Sequence, residues 1–160
     1  MERYHRIIEH EKFQKYLVKI EQLEKDRIFC CHGLTHLLDV ARIAYIINLE
    51  EGGLFSKDLI YGAALLHDIG KVKQYTKKIP HEITGAQKAE KILAECGYQE
   101  FEIELIKRAV LEHRDGPENR NHRLSGILYE ADKKSRICRF CEAKDACNWT
   151  EQMKNSTFVY

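Results

Sequence analysis

The 160-residue sequence has few residues that interrupt helices. Proline occurs only twice, as Pro80 and Pro117, so most of the chain can continue a helix without a proline break. No internal repeat, low-complexity segment or linker divides the sequence. One compact domain with a hydrophobic core is therefore expected for a chain of this length.

Long apolar runs and a strong net charge are also missing. No segment reaches the roughly 20 apolar residues of a membrane helix, and the N-terminal residues show no apolar run of signal-peptide length. We therefore expect a cytoplasmic protein without a membrane partner. The formal net charge is only +1, so no overall field favours nucleic acid as a partner. In a reducing cytoplasm, six cysteines indicate metal binding or buried thiols rather than disulfides.

Apolar residues instead recur with the period of a helix, which predicts an all-α fold. The predicted helices span about residues 8–25, 33–50, 56–70, 82–95, 99–113 and 122–134. In the first helix, four residues are predicted to face inward: Phe13, Leu17, Ile20 and Leu23. Ser56 can cap the third helix. The predicted stops are Gly52, Gly53, Gly70, Gly97 and the turn at Asp115, Gly116 and Pro117. The last 25 residues lose this period, so something other than an apolar stripe must order them.

Several side chains of metal-ligand type fall on the apolar stripes of these helices. His67 follows Ile60, Ala63 and Ala64 at the spacing that places four residues on one helical face. Three other helices repeat this feature, so five such groups face the core: His36, His67, Asp68, His113 and Asp132. A buried imidazole beside a buried carboxylate costs several kcal/mol unless both have partners. One metal centre satisfies all five groups together, whereas five separate core residues would each need a partner.

The remaining histidines carry weaker signals. His81 stands at a helix start just after Pro80 and lies on no stripe. His32 lies one turn before His36 and can face either the site or the cysteines. Three histidines are predicted to be solvated: His5, His10 and His122.

The order His36, His67-Asp68 and Asp132 resembles the H…HD…D signature of the HD-domain superfamily of metal-dependent phosphohydrolases. The likeness covers about residues 30–135, and the strings HLLDVARIA, AALLHDIGK and LYEADKKSR are similar to the ligand-bearing helices of that family. It implies a compact HD-domain bundle of about six to seven helices. We place this domain at residues 1–135, followed by a cysteine-containing extension, 136–160, packed on the same domain.

Two further strings resemble the extra-histidine segments of HD proteins with two metals. They are HEITGAQKAEKIL, which begins at His81, and VLEHRDG, which holds His113. By that likeness Asp68 bridges two metals, and His81 and His113 hold the second one. The first metal is held by His36, His67 and Asp132. Other HD proteins keep such histidines near a single metal, where they contact phosphate. We expect one or two divalent ions of Fe, Mn, Co or Ni.

The resemblance also implies hydrolysis of a small nucleotide-like phosphate ester or anhydride by a metal-activated water. Asp68 is the candidate to orient the water, and Lys71, in the HDxxK pattern, and Arg114 are the candidates to bind phosphate. Both lie in basic loops that also contain Lys73, Lys77, Lys78, Arg120 and Arg123. A di-iron oxygenase and a ligand-sensing HD domain are the alternatives. The chain has no long insertion to form an oxygenase lid, and all six ligand positions are filled, which disfavours a sensor.

Three cysteines with C-x2-C-x5-C spacing follow the HD-like region, and they are Cys138, Cys141 and Cys147. Closely spaced thiolates suit structural zinc, which needs four ligands. The segment before His36 offers Cys30 and Cys31 for the fourth. The string RIFCCH resembles the opening of small clostridial-type HD proteins with a similar cysteine tail, which favours Cys30. An iron–sulfur cluster on the same cysteines and unliganded thiols are the alternatives. Cys96 is predicted to be an ordinary buried thiol.

Overall fold

The computed structural model describes residues 2–115, 123–157 and 160, and over these ranges the chain folds into eight α helices without strands. In chain order they are α1 (Arg3–Glu9), α2 (Glu11–Leu23), α3 (Leu34–Glu50), α4 (Lys57–Leu66), α5 (Lys71–Lys77), α6 (His81–Glu95), α7 (Glu100–Glu112) and α8 (Leu124–Lys134). A 3₁₀ helix, Cys138–Phe140, follows α8. The predicted all-α fold is thereby confirmed. Within the described ranges, none of the helices has the length and apolar character to cross a membrane.

Helix α4 lies at the centre of the bundle. It packs against α1, α3, α6, α7 and α8, and nearly all of its side chains are buried. A helix that is apolar on all sides is stable only when other helices surround it. Gly62 permits a close approach, because a Cβ there would lie 3.0 Å from the Ile106 side chain of α7. The residues that follow α4, His67 and Asp68, therefore enter the interior of the protein.

The N-terminal region differs from the prediction of one helix over 8–25. The backbone is extended at His10, which separates α1 from α2. The His10 side chain accepts a hydrogen bond from the Lys12 amide and pairs with Glu95 at 2.8 Å. It is only 12% exposed, so the prediction that His10 is solvated is wrong. The side chain acts as the N-terminal cap of α2.

The inward face of α2 also ends earlier than its apolar pattern indicates. Phe13 and Ile20 are buried, but Leu23 is 38% exposed. The next residue, Glu24, is 4% exposed instead. Its carboxylate is buried because His32 and Tyr75 supply hydrogen bonds to it.

The third predicted helix ends four residues early. Helix α4 stops at Leu66, and a turn through residues 67–70 leads into α5, which the pattern did not predict. Gly70 has φ −71°, so any residue could adopt its backbone conformation. Its role is close packing, because a Cβ there would lie 1.9 Å from the His81 carbonyl oxygen. The absence of a side chain at Gly70 therefore lets the turn pack directly against His81, the first residue of α6.

Several predicted helix ends agree with the structure. The Ser56 hydroxyl accepts a hydrogen bond from the Leu59 amide at 3.3 Å and caps α4. Three glycines with positive φ end α3 and α6, and they are Gly52, Gly53 and Gly97. The predicted turn at 116–117, Arg120, and His122 at the predicted start of the last helix lie outside the described residues.

Candidate metal centre

Six side chains with metal-ligand atoms meet in the middle of the bundle. They come from α3, the turn after α4, α6, the end of α7 and α8, and they are His36, His67, Asp68, His81, His113 and Asp132. All are buried except the last, whose side chain is 14% exposed. The structure thus brings together the six positions that the sequence singles out.

The ligand atoms form two groups of three, each group lying within 4.8 Å. The first comprises His36, His67 and Asp132, and the second comprises Asp68, His81 and His113. Asp68 connects the two groups through its two carboxylate oxygens. Its Oδ2 lies 3.1 Å from His67 Nε2, and its Oδ1 lies 3.2 Å from His81 Nε2. This is the arrangement that a carboxylate bridging two ions requires.

Backbone carbonyls orient two of the imidazoles. His67 Nδ1 donates to the Ala64 carbonyl at 2.7 Å, and His113 Nδ1 donates to the Val110 carbonyl at 2.6 Å. A carbonyl oxygen can only accept, so the proton of each neutral ring is on Nδ1. Each Nε2 therefore presents a lone pair to the centre, as a metal ligand does.

The other two imidazoles have side-chain partners. His81 Nδ1 donates to the Gln74 side-chain oxygen. His36 Nδ1 lies 3.3 Å from the Ser135 hydroxyl, while its Nε2 accepts from the Arg136 guanidinium at 3.0 Å. Arg136 thus places a positive charge at the edge of the first group.

The donor set fits a divalent cation. His67 Nε2 and Asp132 Oδ1 are buried without a hydrogen-bond partner among the described residues. His81 Nε2 and His113 Nε2 lie 3.1 Å apart, although the Nδ1 protons of both rings are already donated to oxygens. Acceptor atoms that face one another in the interior are costly unless a cation lies among them. Two imidazoles and a carboxylate in each group are suitable ligands for such a cation.

The protonation of the site follows from burial and from its carboxylates. Burial, together with the nearby His67 charge, lowers the pKa of His113 to about 3. Burial also opposes a charge on His67, but the Asp68 and Asp132 carboxylates raise the pKa of that imidazole above its ordinary value. Although burial opposes ionisation of Asp68, the charges of His67 and Lys71 hold its pKa well below the ordinary value. A metal would therefore meet ionised carboxylates at this site.

A cavity of about 440 Å³ opens onto the second group of ligand atoms. Lys71 lines this cavity with its Nζ 3.6 Å from Asp68 Oδ1. Arg114 lines its outer part, where the side chain is 56% exposed and lies 3.7 Å from Glu82. Both phosphate-binding candidates thus lie on the cavity wall. Arg123 instead lines a separate, smaller cavity.

Several cavity residues were not identified from the sequence. Three are basic, namely Arg27, Lys133 and Arg136, and one is aromatic, namely Phe29. Arg136 could have been found because it lies one helical turn after Asp132. The others approach the cavity only through the tertiary fold, and no spacing in the sequence marks them.

His32 supports the centre from a buried position. Its Nε2 lies 3.9 Å from Asp68 Oδ2, and its Nδ1 lies 2.5 Å from Glu24 Oε1. The Tyr75 hydroxyl donates to the same Glu24 oxygen. Burial lowers the pKa of His32. The imidazole is thereby fixed between two carboxylates, with one ring edge toward Asp68.

No cysteine belongs to the two groups of ligand atoms among the described residues, although Cys30 and Cys147 also line the 440 Å³ cavity. Four of the cysteines, Cys30, Cys138, Cys141 and Cys147, line a second cavity of about 260 Å³ beside the centre. Cys96 is buried in the core, where burial raises its pKa to about 11. This placement agrees with the prediction that Cys96 is an ordinary buried thiol.

The family model of the HD domain matches residues 33–137, which is more than half of the chain. The chain therefore belongs to the HD domain family. The matched range contains all six residues of the centre and ends just before Cys138. HD domains bind divalent metals, and the buried His/Asp cluster of this chain can hold one.

Relatives extend the comparison. An uncharacterised protein of Clostridium beijerinckii (strain ATCC 51743 / NCIMB 8052) is 44% identical over 160 residues, the full length of both chains. The Bacillus subtilis (strain 168) protein named "Putative phosphohydrolase YueE" is 31% identical over 115 residues, 63% of this chain and 64% of that protein.

A solved structure shares the fold. A protein from an uncultured Thermotogales bacterium, described as a predicted HD superfamily hydrolase, has a TM-score of 0.61 and 24% identity. The alignment covers 89% of this chain and 81% of that one. This structural likeness agrees with the family match and shows that the two chains share the HD-domain fold.

Proposed function

We propose that this protein is a metal-dependent phosphohydrolase that cleaves a phosphate ester or anhydride of a small, nucleotide-like molecule. The observation that carries the proposal is the position of Asp68. Its two oxygens face separate groups of imidazole and carboxylate ligands, at the bottom of a cavity lined by basic residues.

The ligand set supports one or two divalent ions of Fe, Mn, Co or Ni. When bound, such ions lower the pKa of a coordinated water toward neutrality and withdraw negative charge from phosphoryl oxygens. His36, His67 and Asp132 would hold one ion, His81 and His113 the other, and Asp68 both. Asp68 stays ionised, and the positions of His67 and His81, 3.1 and 3.2 Å from its two oxygens, define the orientation of the carboxylate. An oriented carboxylate can accept a hydrogen bond from the attacking water and so direct it.

The basic residues of the cavity suit the phosphate. Lys71 lies closest to Asp68, where its charge can contact the phosphoryl group that reacts. Arg114, on the outer wall, can bind oxygens that do not react, and a guanidinium does so with two parallel hydrogen bonds. Such contacts hold the substrate in place and neutralise charge as the leaving group departs.

The size and lining of the cavity favour a nucleotide-like substrate. Its volume of about 440 Å³ falls within the range of small-molecule sites. Phe29 and Trp149 add aromatic surface to the same cavity. Aromatic rings beside cationic groups suit a ligand with a base and a phosphate, because bases stack on aromatic side chains.

Phosphate release tests the proposal. Protein loaded with Mn, Co, Ni or Fe would be assayed against nucleoside phosphates, dinucleoside polyphosphates and simple phosphate esters. We expect metal-dependent turnover of at least one nucleotide class. Asp68→Asn should abolish it, whereas Asp26→Asn, at an exposed position, should leave it unchanged.

Two outcomes would overturn the proposal. Equal turnover by wild type and Asp68→Asn would mean that the activity arises elsewhere. Absence of turnover across the whole panel, together with oxygen consumption by the iron form, would indicate an oxygenase on the same ligands.

A further inference from the structure

We infer that Cys30, Cys138, Cys141 and Cys147 form a second metal site, in which four thiolates bind a zinc ion beside the HD centre. The four side chains line one cavity of about 260 Å³, although Cys30 is more than 100 residues away from the others in sequence. None of them belongs to the imidazole and carboxylate groups described above.

The structure distinguishes Cys30 from its neighbour. Cys31 does not line this cavity, and its thiol lies 3.6 Å from the Phe29 carbonyl oxygen. Cys96 is buried at the end of α6, in the main core. Four of the six cysteines therefore converge, and four is the ligand number that structural zinc takes.

Consecutive turns bring the three C-terminal cysteines to the cavity. The Cys141 amide donates to the Cys138 carbonyl at 3.2 Å, and the Lys144 amide donates to the Cys141 carbonyl at 3.1 Å. The Cys147 amide then donates to the Lys144 carbonyl at 3.3 Å. The chain thus wraps around the cavity and presents three thiols to it.

One of the thiols already has a hydrogen-bond donor beside it. The backbone amide of Asn155 donates a hydrogen bond to the Cys138 sulfur. An amide that donates to sulfur stabilises the thiolate, the form of cysteine that binds metal.

Basic side chains balance the charge of such a site. Four thiolates around a divalent ion leave a net charge of about −2. Such a charge is costly at a partly buried site unless positive side chains lie nearby. Arg136, Lys144 and Lys154 line the same cavity as the thiols. Lys154 also pairs with Glu151 at 2.7 Å and Arg136 lies 3.6 Å from Asp132, so these two charges are shared between the carboxylates and the thiols.

The sulfur atoms surround the cavity at a wider spacing than a bound zinc requires. Zinc–sulfur bonds are about 2.3 Å long, whereas the groups with three ligand atoms within 4.8 Å among the described residues contain no cysteine. Cys30, Cys141 and Cys147 are only partly buried, so rotation about χ1 can move their sulfur atoms inward.

The C-terminal segment that carries three of the cysteines has little regular secondary structure to stabilise it. Residues 136–157 contain only turns and the 3₁₀ helix, and Ile137 is 61% exposed. The Asn155 side chain donates to the Lys134 and Arg136 carbonyls at 2.8 Å, which ties one end of the segment to α8. Segments without regular structure or a core of their own are commonly held by a metal.

Cobalt substitution tests this site without relying on enzyme activity. Thiolate ligands give Co²⁺ an intense charge-transfer absorption that imidazole and carboxylate ligands do not give. We expect wild-type protein, purified anaerobically, to contain zinc and to show this absorption when the zinc is replaced by cobalt. Cys30→Ser and Cys141→Ser should each weaken the absorption, because one of four thiolates is lost, whereas Cys31→Ser and Cys96→Ser should leave it unchanged.

Cobalt substitution of the wild-type protein tests the site even if a cysteine variant fails to fold. Absence of the thiolate absorption in the cobalt-loaded wild type would overturn the inference. Acid-labile sulfide with iron in the anaerobic protein would overturn it in favour of an iron–sulfur cluster, and loss of the absorption in Cys31→Ser would overturn the ligand assignment. Asp68→Asn should keep the absorption, so this test and that of the phosphohydrolase proposal can fail independently.

Discussion

His67 shows at the scale of a single residue why the centre needs a cation. The side chain is fully buried, and its Nδ1 proton is used by the Ala64 carbonyl. Its Nε2 then faces the oxygens of Asp68 and Asp132, which are also acceptors. A proton on Nε2 can relieve this repulsion, and so can a metal ion. The raised pKa of His67 shows that the site attracts positive charge.

The two arginines that flank residues 116–122 offer a matched test of the cavity. Arg114 lines the proposed substrate cavity, whereas Arg123 lines another. Loss of a charge-assisted hydrogen bond costs about 1.5–3 kcal/mol, so Arg114→Gln should reduce kcat/KM by about 10- to 100-fold. Steady-state phosphate release would measure this effect. Arg123→Gln should have the kcat/KM of the wild type. An equal decrease of kcat/KM in both variants would mean that the overall positive charge of the surface, and not a contact from Arg114, promotes the reaction.

The buried side chain of Lys88 should make the stability of the protein depend on pH. Its Nζ is buried without a hydrogen-bond partner among the described residues and lies 3.9 Å from the centroid of the Tyr16 ring. Burial, with a contribution from Lys73, lowers its pKa to about 8. The unfolded chain, with an ordinary lysine pKa of about 10.4, binds more protons between these values. The free energy of unfolding should therefore rise as pH increases from about 8 to 10.

A substitution at the same position tests the cause. Lys88→Met removes the cost of burying the charge and should stabilise the protein at pH 7 by roughly 1 kcal/mol. Denaturant unfolding at pH 7 and near pH 10 would show the gap to wild type narrowing as pH rises. Lys91→Met, on the exposed side of the same helix, serves as the control and should not change the pH dependence. A gap that is constant with pH would contradict the assigned pKa.

At the scale of secondary structure, two helix ends supply histidines in the same way. His67 directly follows α4, and His113 directly follows α7. Each donates its Nδ1 proton to a carbonyl three residues earlier, at 2.7 and 2.6 Å. The last carbonyls of a helix have no partner within the helix. Each helix end thus gains a donor and fixes an imidazole toward the centre.

The turn between α4 and α5 depends on Gly70. A Cβ at this position would lie 1.9 Å from the His81 carbonyl oxygen and 2.7 Å from the Gly85 amide nitrogen. Both neighbours are backbone atoms, so Gly70→Ala must move α6 away from the turn. We expect a loss of about 2–4 kcal/mol in the free energy of unfolding, together with loss of metal from the site that contains His81. Unfolding curves and elemental analysis would measure both.

Gly53 provides the comparison for this prediction. It has φ +71°, and a Cβ there would meet no atom within 4 Å. Gly53→Ala should therefore cost only about 1 kcal/mol through backbone strain and should leave the metal content unchanged. Metal loss in Gly53→Ala, or full metal content in Gly70→Ala, would contradict the prediction that the close packing at Gly70 is needed for metal binding.

At the scale of the whole molecule, the metal centre joins elements from most of the chain. Helices α3, α6 and α8, the turn after α4 and the end of α7 all contribute to it. An ion that binds only the folded chain stabilises it by about 2.7 kcal/mol at a concentration 100-fold above the dissociation constant. Chelation should therefore lower the melting temperature, and adding Mn²⁺ back should restore it.

Scanning calorimetry with and without chelator would measure this shift. Asp68→Asn should show a much smaller shift, because it lacks the carboxylate that both ligand groups share. A shift of wild-type size in that variant would assign the stabilising ion to the cysteine site instead. Cys141→Ser would then be the variant in which the shift disappears.

Much of the candidate site was predictable because helical periodicity is a local property. The positions of His36, His113 and Asp132 on apolar stripes follow from spacings of three and four residues, and the structure places all three in the interior or at its edge. His81 was not predictable in this way. It begins α6 and lies on no stripe, so only its likeness to an HD-family segment indicated it. That these side chains bind metal stays a prediction.

Some features of the structure could not be predicted from the local pattern, because they depend on contacts between segments that are distant in sequence. The local pattern of the sequence determined the helical class, most helix ends and five of the six candidate ligands, since each rests on neighbours within about two helical turns. The tertiary structure decided that α1 and α2 separate at His10, because the partner of His10 is Glu95. It also placed Cys30 rather than Cys31 on the thiol cavity. Adjacent side chains point in different directions, and only the packing of the whole chain selects which one meets a partner more than 100 residues away.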